Sequence, residues 1–297
     1  MKTFEEFADE VRVGMKARYD GCKVDLRRVT KNNGVLYTGV VVVGADESIY
    51  PTLYLESFYD ECDGELTDEL LDRMCNVYES RRIGCDMKLD YLKDYESVKK
   101  GLRCKLINRD ANKEMLKEVP HRDFLDLAIV PYYQFNESGI NSFNNGMASF
   151  TVRNSHLVMW GVDEETVIDD ALEKTYAFEE PSITGIFETL RKLNPVFNLP
   201  VEEDECPMYV MTTEGSHGAI SMIFEQKLKD FCERINCDVL VLPSSTMEVI
   251  LVPAKVGMQE EQINAMIREI NITELDPVSV LSDHAYYFGK NTGYKAA

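Results

Sequence analysis

Residues 23–43 read KVDLRRVTKNNGVLYTGVVVV, and the fold class turns on how this stretch folds. Val24, Leu26 and Val29 run toward Asn32-Asn33-Gly34, and the apolar run 35–43 leads away from it. Asn-Gly accepts the positive φ angles of a tight hairpin turn. The stretch is therefore expected to be two antiparallel strands. Upstream, Thr3 and Glu6 have capping-box spacing, and Phe4, Phe7, Ala8, Val11 and Met15 recur at helical period.

Downstream, an extended piece is expected at 52–58, then helices at 66–80 and 86–100, with Gly101 ending the second and a strand at 103–108. The apolar, aromatic segment 124–135 reads as one long strand that pairs with 147–152 across a Gly- and Asn-rich turn near 138–146. Helices are expected at 163–176 and 182–193, the first capped by Asp163 with Glu164 and Glu165 in its first turn. The segment 194–206, with two prolines and four acids, reads as an exposed loop. A strand at 208–212, a helix running to about 235, a hairpin of 238–242 with 248–252, a helix at 259–272 and an extended piece at 284–288 complete the chain. That helix is expected to bury Ile263, Met266, Ile267 and Ile270. Strands and helices thus come in runs, which points to α+β with mixed, mostly antiparallel sheets and flanking helices. Two packed subdomains, 1–115 and 116–297, are expected.

The chain has 297 residues, of which 44% are hydrophobic, so it can bury a core. No window approaches the roughly 20 apolar residues of a membrane helix. The first residues, MKTFEEFADEV, carry acids where a secretory signal would be basic and then apolar. A cytoplasmic location is the expectation. The eight cysteines are scattered without a C-x-x-C pair, which suits reduced, mostly buried thiols and no metal site. A net charge of −20 argues against phosphate-backbone binding and against an anionic membrane. An acidic surface serves solubility in the plainest reading, and in a sharper one presents acids to a protein partner with a basic surface.

His121-Arg122-Asp123 spells the start of a kinase catalytic loop, but the position five beyond the Asp is Ala128, where that chemistry needs Asn. Pairing of Arg122 with Asp123 or Asp126 is the simpler expectation. Ser244 or Ser245, with His284 and a carboxylate from Asp283 or Glu248, could form a hydrolytic triad. The serines lack the G-x-S-x-G context that exposes a nucleophile, and Pro-Ser-Ser is ordinary turn chemistry. His217, in Gly215-Ser216-His217-Gly218, lies in a small loop that could line a pocket or merely connect elements. Trp160 reads as a core plug at a helix–loop junction. No motif implies a cofactor.

The run LVLPSSTMEVILVP (240–253), then MIREIN (266–271) and VLSDHAYYF (280–288), resembles an uncharacterised bacterial family of unknown function, common in anaerobic Gram-positive gut bacteria. KNNGV (31–35), PTLYLESFY (51–59), KLIN (105–108), VPHRDFLDLAIVPYY (119–133) and MYVMTTEGSHGA (208–219) fit it too. The resemblance covers nearly the whole chain and implies a bacterial, cytosolic origin, with no activity, cofactor or catalytic residue to transfer. In that family the position of Met247 often holds histidine, and its absence here weighs against a catalytic or metal role for Glu248.

The expected function is a non-enzymatic, acidic cytosolic protein that binds another protein. The alternatives are a hydrolase built from residues remote in sequence and an acidic mimic of nucleic acid.

Overall fold

Thr3 starts the first helix through a reciprocal cap: the Glu6 N–H donates to Thr3 Oγ1 (3.3 Å) and the Thr3 N–H to Glu6 Oε2 (2.9 Å). The computed structural model describes residues 2–44, 50–82, 89–135, 149–193, 207–215, 217–243, 245–254 and 260–295. It divides into two compact units, Met1–Tyr91 with Phe135–Ala148, and Leu92–Gln134 with Ser149–Ala297. Every strand pairing among the described residues is antiparallel. The fold is α+β.

In the first unit α1 (Phe4–Arg18) buries Phe7, Ala8, Val11 and Met15, the apolar face its period predicts. β1 (Lys23–Thr30) and β2 (Leu36–Val43) pair from Lys23↔Val43 to Thr30↔Leu36. The connection is a 3-10 turn in which Asn33 (φ 60°) and Gly34 (φ 70°) supply the left-handed backbone. The extended piece expected at 52–58 is only β3 (Leu53–Tyr54), followed at once by α2 (Glu56–Glu61). A side chain replaces the missing ladder there: the Leu55 N–H donates to the Thr38 carbonyl, and the Thr38 N–H donates to the Glu56 carboxylate. α3 (Asp68–Ser80) is capped by Thr67 and packs Leu70, Leu71, Met74 and Tyr78 inward.

The second unit contains most of the remainder. The helix expected at 86–100 is instead a 3-10 turn at Leu89–Lys93 and then α4 (Tyr95–Lys99); positions 83–88 lie outside the described residues. Asp94 makes the break, because its carboxylate caps the Ser97 N–H (3.0 Å) and starts a new helix. β4 (Leu102–Asn108), α5 (Lys113–Leu116), β5 (Arg122–Phe124), β6 (Leu127–Gln134) and β7 (Ser149–Thr151) follow. β6 pairs with β4, β5 and β7. The single strand expected at 124–135 is divided at Leu125, whose φ of 58° turns the chain so that β5 folds back on β6. The turn expected at 138–146 lies outside the described residues.

α6 (Asn154–Trp160) was not anticipated; Gly161 ends it in the left-handed conformation, and the buried Trp160 donates to the Leu92 carbonyl (2.7 Å). α7 (Glu164–Phe178) starts at Asp163 as expected, and Thr175 Oγ1 accepts the Cys104 N–H (2.8 Å), fastening the helix to β4. The helix expected from 182 begins as β8 (Ser182–Gly185), which pairs with β9 (Tyr209–Thr212) before α8 (Ile186–Leu193) forms. The 194–206 loop lies outside the described residues. A 3-10 segment (Gly218–Ile223), α9 (Glu225–Ile235), β10 (Val239–Leu242), β11 (Val249–Pro253), α10 (Glu260–Thr273), β12 (Tyr286–Gly289) and β13 (Gly293–Tyr294) complete the unit. Its larger sheet has the order β13-β12-β10-β11-β9-β8. On α10 the buried residues are Ile263, Ile267 and Asn271, while Ile270 is exposed. Asn271 takes the inward place because its amide donates to the Ser282 carbonyl (3.0 Å).

Tyr78 shows how the smaller sheet is closed. β3 is too short to reach Val42, and the Tyr78 hydroxyl both accepts the Val42 N–H (2.9 Å) and donates to its carbonyl (3.0 Å). Tyr78→Phe leaves two buried backbone groups unpaired, so chemical denaturation should show the first unit losing about 2 kcal/mol or more. Unchanged stability would show that the hydroxyl contributes nothing.

Candidate functional site

Sequence reasoning singled out the residues around His284, and the structure gives that histidine a remote partner. Its Nε2 lies 3.0 Å from Asp126 Oδ2, in the turn between β5 and β6, and its Nδ1 lies 3.2 Å from the Ala285 carbonyl. The Tyr286 hydroxyl donates to the other Asp126 oxygen and lies 3.4 Å from Ser282 Oγ. Burial alone would raise the Asp126 carboxyl, but the hydrogen bonds from Tyr286 and His284, with the charge on His284, leave it below the ordinary range. Burial and the neighbouring Asp126 push the Tyr286 phenol upward.

The other triad candidates make hydrogen bonds of their own beside this cluster, the Ser282 N–H donating to the Pro243 carbonyl (3.0 Å) and Ser245 bridging Val280. Ser245 is buried, and its Oγ accepts the Met247 N–H (2.9 Å). Asp283 accepts from Asn271 (2.8 Å). Glu248 is half-buried, and burial pushes its carboxyl upward. Ser244 lies outside the described residues. No hydrogen bond joins Ser245 to His284 among the described residues, and both nitrogens of His284 face oxygen acceptors. That ring offers no free basic nitrogen to a serine.

Of the kinase-like triplet, the His121 N–H donates to Glu164 Oε1 (2.8 Å) and its ring Nδ1 lies 3.0 Å from the Val119 carbonyl. Arg122 pairs with Glu165 (2.6 Å) and Asp169 (2.9 Å) on α7, not with Asp123 or Asp126. Asp123 pairs with Arg109 (3.2 Å). The reason is strand geometry: side chains alternate across β5, so Arg122 faces α7 and Asp123 faces away. His121, His217 and His284 have separate partners and do not form one cluster.

His217 belongs to a polar cluster that sequence reasoning missed. Arg103 lies opposite Tyr132 on β4 and β6, and Tyr132 opposite Thr151 on β7, so these three share one face of the sheet with Lys105. The His217 ring meets Tyr132 edge-on, with centroids 5.0 Å apart. Burial, with the Lys105 charge adding to it, pushes the His217 imidazole down to about 3, so this ring is neutral at physiological pH. Lys105 Nζ donates to Thr151 Oγ1 (2.9 Å). Glu179, the residue that caps the C-terminus of α7, is buried and acts electrostatically on Arg103 and Tyr132. The only sequence signal was an acid at a helix C-terminus, where the helix dipole disfavours negative charge.

A third feature is on the first unit. From residue 32 to residue 72 the sequence holds ten acids and neither Lys nor Arg. Asp60, Glu61, Asp63, Glu65, Asp68, Glu69 and Asp72 are all exposed along α2, the following turn and α3. Glu61 pairs with Arg73, and Asp68 and Asp72 share Arg18. The other four have no ion pair among the described residues.

Asp126→Asn removes the charge that holds His284 and Tyr286. Because the Asp126 side chain is 40% exposed, the expected cost is modest, about 1–2 kcal/mol. A carboxyl lowered on folding stabilises fully above its unfolded value of about 3.9, and the contribution is lost as pH falls through the lower folded value. The stability gap between wild type and Asp126→Asn should therefore shrink below about pH 4. A gap that widened toward acid would contradict this assignment.

No helix among the described residues is long and apolar enough to cross a membrane, and no group of three or more metal-ligating side chains forms among them. Searches of curated proteins and of solved structures find no match to the chain. A family model does match, over residues 4–290, which is nearly the whole length. The chain belongs to the family of unknown function DUF5688.

Proposed function

We propose that this protein is a non-enzymatic binding protein that presents an acidic surface to a protein partner with a basic surface. The observation that supports this reading is the exposed run from Asp60 to Asp72, with seven acids and four of them without an ion pair among the described residues. Such a surface speeds encounter with a basic partner and loses that advantage as salt screens it, over about 10 Å at 0.1 M. The hydrolase reading is weaker, because Ser245 and His284 are each committed to other partners. A nucleic-acid mimic would need acids at the regular spacing of phosphates, and these acids follow a helix, a turn and a second helix.

Neutralising Asp60, Asp63, Glu65 and Glu69 together tests the proposal against an equal change in net charge elsewhere, at Glu260, Glu261 and Glu269 on α10 and Glu274 just beyond its end. In pull-downs from the source lysate, the first variant should lose a partner that wild type and the α10 variant both retain at low salt. High salt should release that partner from wild type. Equal retention by all three proteins would overturn the reading.

A further inference from the structure

The sheet of the first unit has the order β1-β2-β3, so β1 is an edge strand. Its neighbour reveals which way its backbone groups point. Thr38 turns its N–H to Glu56 and its carbonyl to the Leu55 N–H, on the β3 side of β2, and Val42 turns both groups to the Tyr78 hydroxyl. Their register partners on β1 are Arg28 and Val24. Opposed residues of an antiparallel pair either exchange both backbone bonds or turn both away. Val24, Leu26 and Arg28 therefore point their N–H and C=O groups out of the sheet. Among the described residues nothing bonds to those groups. Such an edge is a template for another strand.

A groove of about 340 Å³ opens between β1 and the first turns of α1. Phe4, Ala8 and Leu26 supply its apolar lining, and Arg27 and Arg28 line its strand side. Both arginines are exposed and make no ion pair among the described residues. Asp25 pairs only with Lys23 of its own strand (2.6 Å). Along β1 the charges thus fall as Lys23, Asp25, Arg27 and Arg28, and that order decides which strand the edge accepts.

We propose that the β1 edge pairs with the β1 edge of a second copy of this chain, antiparallel, about a dyad at Leu26. The outward groups of Leu26 then bond to those of the copy's Leu26, and the outward groups of Val24 to those of the copy's Arg28. Asp25 of each chain comes opposite Arg27 of the other, on the face away from α1, as a close cross-strand pair of unlike charges. Leu26 of the copy projects on the side of the apolar groove. The interface is isologous, so both chains gain the same contacts. Other dyads fit less well. A dyad at Asp25 sets acid against acid, one at Arg27 or Arg28 sets that arginine against its own copy, and one at Val24 runs off the start of the strand. The interface shares no residue with the acidic run from Asp60 to Asp72, so the two proposals stand or fall separately.

The experiment is sedimentation of the full chain across the micromolar concentration range, which should show a reversible monomer–dimer equilibrium. Arg28→Pro removes an outward N–H that bonds to nothing within the chain, so the protein should still fold, by circular dichroism, and remain a monomer. Asp25→Arg alone and Arg27→Asp alone each set like charges opposite one another twice, and each should weaken the dimer about tenfold or more. The two substitutions together reverse both charges and should restore the dimer. This exchange needs no proline variant, so it decides the question even if Arg28→Pro does not fold. A monomer at every concentration would overturn the proposal. So would a dimer that persists in folded Arg28→Pro, or a double variant no tighter than the single ones.

Discussion

The second unit depends on a strand with no face left to solvent. Seven of the eight residues of β6 are buried, from Leu127 to Tyr133. A strand covered on both faces must pair along both edges, and β4, β5 and β7 supply those pairings. The consequence is chemical as well as structural. Any polar side chain placed across β6 from a neighbour is drawn into the interior, where it must find a partner. Arg103, Lys105, Tyr132 and Thr151 are such residues, and the chain uses backbone carbonyls, a threonine and an aromatic ring to accommodate them.

Much of the fold could be read locally. The Thr3–Glu6 box, the Asn33-Gly34 turn and the Asp163 cap each act within a few residues, so sequence spacing and structure agree. Other features were decided at longer range. The Glu56 carboxylate replaces a strand hydrogen bond to Thr38, which shortens the expected strand at 52–58. Leu125 adopts a left-handed backbone that its side chain does not favour, and so the aromatic stretch folds back where a continuous strand was expected. Asn271 displaces Ile270 from the buried side of α10 because it has Ser282 and Asp283 to bond.

The sites were less legible than the fold, for the same reason. His284 was noticeable as a histidine beside an acid, but the acid it uses is Asp126, 158 residues away. Arg122 was expected to pair with Asp123 or Asp126, and the pleat turned it to α7. Glu179 gave almost no signal, since its character comes from burial, from the helix end that carries it and from the loop above it. The acidic surface and the Glu179 cluster belong to different units.

The most direct test of this account is a high-resolution crystal structure of the protein without added ligand, refined to show the surroundings of Glu179. The account predicts a buried carboxylate with no nitrogen of Arg103 or Lys105 within 4.0 Å of it. A direct salt bridge from either residue to Glu179 would mean that the protein satisfies its own charges there, and would contradict the account.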